Sequence, residues 1–403
     1  MNLVIAHPAL RTAFALSTLA RLPVPMLSIG LLVHSQRLTG SFAAAGIVLA
    51  TFAGASSVGG PLLGRLVDVY GQSRPLAAAA ACSSGALWIV ALMPPGASVV
   101  LLAGLSGLAG LAVPPVGACM RALLPGMVDR SVLPTAYALE ATATELAFVA
   151  GPPVALVAAG ATSSGAAVAG VATLLGVTTI MFARQRAARA WRPSSSARRG
   201  AVGALRPSGM RTLVATFLFV GLLFGAVEVG VAAAGNGSAN TGVLLGSWGA
   251  GSLLGGLTLT RLGHVSAHSA QLAPLLAALT AGHLALAWAV TSELALAAAL
   301  LLAGAAIAPM YATVNGIVEQ VAPRATMTEA FAWLTTAAGA GAALGAALTG
   351  IVAEHGGPSA AFLVAGGAGV VATVIVALRA GTLGADEPLP PSACCTRPDP
   401  AVV

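Results

Sequence analysis

Gly64-Arg65-Leu66-Val67-Asp68-Val69-Tyr70-Gly71-Gln72-Ser73-Arg74 separates two uncharged apolar stretches, residues 41–63 before it and 76–94 after it. Each stretch has the length of a helix that crosses a bilayer, roughly 17–25 residues. The segment between them gathers two arginines, an aspartate and two glycines, the make-up of a tight polar turn. The unit is therefore a hairpin of two spanning helices joined at one membrane face.

The rest of the chain repeats this pattern. Of 403 residues 57% are hydrophobic and 8% charged, against roughly a quarter charged in a soluble domain. In hydrocarbon every backbone amide must be satisfied within a helix or a closed barrel. Barrel strands read as alternating stretches of about ten residues, whereas the apolar runs here are about twice that length. The sequence thus predicts an all-α membrane protein with twelve spans, near 12–33, 41–63, 76–94, 98–120, 134–158, 164–183, 211–233, 240–260, 270–290, 294–316, 327–352 and 359–379. Pro114-Pro115 interrupts the fourth, as a kinked helix beside a cavity would tolerate. The N-terminus shows no short apolar region with a cleavage site, so its first run is read as a retained helix.

Charge fixes the expected orientation. Cytoplasmic loops collect basic residues, and with the N-terminus inside, seventeen of the nineteen arginines fall on that side. Arg37 falls outside and Arg21 lies within the first span. Both termini are expected in the cytoplasm, with the chain in the plasma membrane. The basic segment 184–210 has no acid and divides six spans from six. The expected organisation is a bundle over 1–183, the linker 184–210, a second bundle over 211–380 and a disordered cytoplasmic tail over 381–403. The halves resemble one another. Gly59-Gly60 with Arg65-Leu66 recurs as Gly255-Gly256 with Arg261-Leu262, 196 residues on. Ala136-Tyr137-Ala138 with Gly151 recurs as Ala330-Phe331-Ala332 with Gly345, 194 residues on. Five GxxxG pairs, among them Gly60/Gly64, Gly221/Gly225, Gly251/Gly255 and Gly341/Gly345, read as places of close helix approach.

Several classes are excluded. The +7 charge is not spread with aromatics over a face, as nucleic-acid binding requires. There is no lysine, hence no P-loop. No HExxH or GxSxG pattern occurs, and the four cysteines show no zinc or disulfide spacing. No enzyme activity, cofactor or metal is expected. The expected partners are a small-molecule substrate, protons and the lipid bilayer, with a monomer favoured.

The segment 64–74 and the six-plus-six organisation resemble the major facilitator superfamily. In its signature loop, glycines turn the chain around a carboxylate flanked by basic residues. The resemblance implies that Gly64, Arg65, Asp68, Gly71 and Arg74 form a gating loop, in which Asp68 engages the start of a helix in the other bundle. Thr326-Met327-Thr328-Glu329 at the head of span eleven has the form of a capping box, and a helix start attracts a carboxylate. A turn acid that only sets topology is the plainer alternative. Val69 and Gln72 stand where the family has further basic residues. Gly151-Pro152 in span five resembles the family's Gly-Pro motif of proton-driven antiporters, without the glycines that follow it there; a packing kink is the alternative.

A charge at the centre of a spanning helix costs roughly 2.5–3.5 kcal/mol. Arg21 in span one and Glu145 in span five lie at similar depth and are expected to form an ion pair, either broken by a proton or charged substrate or holding the bundle statically. Glu228 in span seven is a candidate cation or proton site. Glu140 reads as a solvated charge near the end of span five, and His283 as a packed residue. The function expected is alternating-access transport, with proton-coupled export of a small organic compound ahead of proton-coupled uptake. A membrane scaffold or receptor is the alternative of another class.

Overall fold

The computed structural model describes residues 8–130, 132–191, 203–234, 239–262 and 269–384. The middle of the basic linker and the tail beyond 384 lie outside the described residues, as do the side chains of Glu145 and Pro152. Regular structure among the described residues is helical throughout. The first span is α1 (Pro8–Arg21) with α2 (Pro23–Thr39), followed by α3 (Phe42–Tyr70) and α4 (Ser73–Ala91). The fourth is α5 (Val99–Leu111) with α6 (Val116–Met127), and then come α7 (Leu133–Ala161) and α8 (Ser164–Ala183). A short helix, α9 (Arg186–Ala190), opens the linker. The second half has α10 (Ser208–Ala234), α11 (Ala239–Leu262), α12 (Leu272–Ala289), α13 (Glu293–Gly304) with α14 (Ile307–Val321), and α15 (Met327–Leu378). Non-helical backbone at Gly357 divides α15 into two spans. Among the described residues eleven stretches are long and apolar enough to cross a membrane, and α7, with 29 residues, has the length of a further span.

Local chemistry places the turns. Gly40 takes a left-handed conformation (φ 69°) after α2, and Ser41 then caps α3 by accepting from the Ala44 amide. Ser163 and Ser292 cap α8 and α13 in the same way. The interrupted spans follow their prolines and small residues: Leu22 precedes Pro23, Pro114-Pro115 separates α5 from α6, and Ala305-Ala306 separates α13 from α14. Val100, Leu294 and Leu302 expose 82%, 81% and 75% of their surface. Water would penalise such a belt, and lipid does not. The chain is a multi-pass membrane protein.

The sequence repeat is also a repeat of contacts. The Cα of Gly59 lies on the Leu111 carbonyl, and that of Gly255 on the Ala305 carbonyl. Gly110 lies on the Phe52 carbonyl and Gly304 on that of Trp248. Gly151 meets Pro25 and Met26, and Gly345 meets Leu222. The contacts Gly59–Leu111, Gly110–Phe52 and Gly151–Met26 recur in the second half moved by 194 and 196 residues. A Cβ at any of these glycines would overlap the neighbouring chain, so the small residues set the helix spacing. The α10–α15 contact is doubly so: Gly221 and Gly225 face Ala338 and Ala342, while Gly341 and Gly345 face Leu218 and Leu222.

The halves meet by the same rule. Gly60 of α3 faces Thr336 of α15, and Gly256 of α11 faces Thr142 of α7. Tyr137 and Phe331, counterparts in the two halves, face each other with ring centroids 6.3 Å apart. Residues that are each other's counterparts can touch only beside the approximate two-fold axis relating the bundles.

Candidate functional site

At the arginine-rich end of the molecule the segment 64–74 closes on the second bundle; it is not the expected loop, since α3 runs on to Tyr70 and only Gly71-Gln72 separate it from α4. The Asp68 carboxylate is buried and accepts hydrogen bonds from the backbone amides of Thr328 (3.2 Å) and Glu329 (2.9 Å). These are free donors of the first turn of α15. The expected capping box is not formed. Thr326 makes no side-chain cap, its hydroxyl donating instead to the Pro323 carbonyl at 3.3 Å. The helix therefore lacks a local N-cap, and an acid 260 residues away in sequence takes that place.

The other loop residues make this approach possible. The Cα of Gly64 packs so closely on α15 that a Cβ would lie 3.1 Å from the Glu329 Cα and the Thr328 carbonyl. Gly71 ends α3 with φ 88°, a conformation suited to glycine, and its amide donates to the Val67 carbonyl at 2.8 Å. Gln72 is buried and donates from Nε2 to the Cys119 carbonyl at 3.1 Å, tying the loop to α6. Arg65 is half-buried and Arg74 exposed. Thr336 adds a further link across the interface, donating to the Ser57 carbonyl at 2.8 Å.

Further from this end lies a buried ion triad. Arg21 at the end of α1 places Nη2 2.5 Å from Glu140 Oε1. It also donates to Thr144 Oγ1 and, at 2.9 Å, to Ser17 Oγ. Arg121 of α6 donates from Nη1 to the same Glu140 oxygen at 3.1 Å. Its Nη2 reaches Thr335 of the second bundle at 3.3 Å, and its guanidinium lies 5.2 Å from the centre of the Phe331 ring.

The expectations for Glu140 and Arg121 are corrected here. Glu140 is 1% exposed and shared by two guanidinium groups, so it is not a solvated terminal charge. It pairs with Arg21, while the Glu145 side chain, to which the sequence reading gave that place, lies outside the described residues. Side chains on a helix lean toward its N-terminus, and a long arginine on α1 reaches about one and a half turns, roughly 7.5 Å, below its own level. That is the five-residue separation of Glu140 from Glu145. Arg121, counted among the loop arginines, lies within the fourth span because α6 continues to Met127.

The remaining candidates are dispersed. Gly151 gives α7 its close approach to Pro25 and Met26 of α2. Glu228 is exposed on α10 one turn beyond Phe224. Sequence reasoning did not find the ring cluster beside it. Phe224 stacks on Tyr311 at 6.4 Å and meets Trp248 edge-on at 5.4 Å. Low aromatic content hid this cluster, since its members come from separate spans. His283 is buried and fully bonded. Its Nε2 accepts from the Trp248 indole at 3.1 Å, and Nδ1 donates to the Leu279 carbonyl at 2.7 Å.

Two six-helix bundles joined beside an approximate two-fold axis define a class of membrane fold shared by many transporters. Comparison with solved structures specifies it. The chain superposes on the crystal structure of the human organic anion transporter MFSD10 with a TM-score of 0.69, at 16% identity over 92% of this chain and 100% of that one. A bacterial homologue of the iron transporter ferroportin, in an outward-facing state, gives 0.72 at 12% identity, covering 91% and 98%. The Escherichia coli fucose:proton symporter FucP gives 0.67 at 15% identity, covering 92% and 98%. No family profile matches the sequence, and no curated protein sequence matches it. The chain has the major facilitator superfamily fold.

Proposed function

We propose that this protein is a secondary transporter working by alternating access, and that it exports a small organic compound in exchange for protons. The observation that carries the reading is the Asp68 cap on α15. A carboxylate of one bundle satisfies the free helix amides of the other, so the bundles are joined here by bonds that separate as a unit. A charged acceptor makes each such bond worth about 1.5–3 kcal/mol. That is enough to bias a two-state equilibrium and little enough for a substrate to overcome.

In this reading the arginine-rich end faces the cytoplasm of the cell that carries the protein in its plasma membrane. The latch then closes the cytoplasmic side, and Arg65 and Arg74 hold the loop at that surface. Gly151-Pro152 and the embedded acids Glu140, Glu145 and Glu228 support proton-linked export. The shared fold does not choose among substrates, as it serves an organic anion transporter, a ferroportin homologue and a fucose:proton symporter. Metabolite profiles of cells lacking the protein identify candidates, and everted vesicles with an acidified interior then test direction. Accumulation of the compound inside them supports export. Loss from preloaded vesicles establishes uptake instead, and indifference to the pH gradient removes the proton.

A further inference from the structure

Two guanidinium groups share one carboxylate in a membrane interior, and the imbalance points to a ligand. We infer that Arg21, Arg121 and the space at Gly117 form the recognition site for the carboxylate group of a small organic monoanion. This deepens the transport reading above and rests on it for the route by which the anion arrives.

Three independent observations carry the inference. The first is charge. Among the described side chains of the helices around the triad, Glu140 is the one acid bonded to Arg21 and Arg121. Glu329 lies on the latch side, its amide bonded to Asp68. Among the described side chains a positive charge is left over, and a buried charge without a counter-ion is costly. One carboxylate balances it, whereas a cation would be repelled.

The second is unsatisfied donors. Nε of Arg21 and Nε of Arg121 are both buried without a hydrogen-bond partner, although native interiors satisfy nearly all such groups. Each is an N–H donor with no acceptor, while the remaining side-chain surface, 12% and 13%, stays open. A carboxylate oxygen supplies what both lack.

The third is room. A Cβ at Gly117 would stand 3.3 Å from Arg21 Nε, 3.5 Å from its Cζ and 3.6 Å from Arg121 Nη1. The glycine keeps an atom-sized space between the two guanidiniums and α6, where any other residue would place carbon. Arg121 also reaches across to Thr335, so an anion competing for this guanidinium loosens a contact between bundles. Binding and rocking are thereby linked.

The test uses the purified full-length protein in detergent, with matched acid and amide probes: benzoate and benzamide, nicotinate and nicotinamide, lactate and lactamide. The expected result is binding of at least one acid, by calorimetry, at least tenfold tighter than its amide. Arg121→Gln and Gly117→Ala should each weaken that acid at least tenfold, and Arg121→Lys should restore part of it. Glu140→Gln, which releases both guanidiniums, should leave the acid bound as tightly or more so. The inference is overturned if no acid outbinds its amide, or if Glu140→Gln abolishes binding as Arg121→Gln does. Should Arg121→Gln fail to fold, Gly117→Ala decides, because it keeps every charge. Acid binding without flux in liposomes would sink the transport reading and leave the site. Flux of a neutral or cationic compound with no acid preference would do the reverse.

Discussion

The two interfaces that join the bundles are counterparts in sequence and differ in what holds them. Between α3 and α15 the Asp68 carboxylate takes two backbone amides, and Thr336 donates to the Ser57 carbonyl. Between α11 and α7 the residue matching Thr336 is Thr142, whose hydroxyl donates to Ala138 of its own helix. The position 196 residues beyond Asp68 is His264. Among the described residues the first interface is bonded and the second is fitted: a Cβ at Gly256 would overlap Thr142, whereas one at Gly60 would lie 3.4 Å from Thr336. Bonds can let go together, while a close fit permits sliding without separation. The difference teaches that a two-fold repeat of backbone need not give a two-fold repeat of energetics.

Five substitutions break or sharpen this contrast. Asp68→Asn should have the largest effect. Loss of the charged acceptor costs about 2–3 kcal/mol, on the order of a hundredfold in the latch equilibrium. Hydrogen–deuterium exchange at the Thr328 and Glu329 amides should accelerate accordingly, and unchanged exchange would remove the latch. Gly256→Ala comes next, because overpacking costs roughly 1–3 kcal/mol. It should lower the melting temperature of the detergent-solubilised protein by a few degrees, with Gly60→Ala clearly milder. Equal losses at the two glycines would erase the distinction between bonded and fitted. Thr336→Val removes one inter-bundle hydrogen bond, about 1 kcal/mol, and should add to the exchange seen at the α15 amides. Thr142→Val should be the smallest, within about 0.5 kcal/mol. Its amides at the head of α7 should exchange as before.

Much of this architecture was legible in the sequence, because lipid imposes long apolar runs and the arginines mark their ends. The repeat was legible as well, since the glycines that carry it cannot change without moving helices apart. Asp68 could be matched to the head of α15 through its loop and the family resemblance. The ion triad was not legible. Depth counted along Cα positions ignores the length and lean of an arginine, so Arg21 was matched to Glu145 although Glu140 lies within its reach. Arg121 was assigned to a loop because the expected span stopped at residue 120, ahead of the charge, whereas α6 runs on through it to Met127. The capping box misled in the opposite sense. Its residues are all present, yet the amides it would satisfy are committed to another bundle, a tertiary choice that no local pattern records.

Tyr137 and Phe331 have a consequence of their own. In an assembly of two identical half-length chains, a side chain beside the rotation axis faces its own copy, so every change there is felt twice. Fusion into one polypeptide lifts that restriction. Here one member keeps a hydroxyl that donates to the Arg121 carbonyl at 3.5 Å, and the other is a bare ring lying beneath the Arg121 guanidinium. Two side chains that identity would confine to a single task instead hold one arginine by its backbone and by its charge.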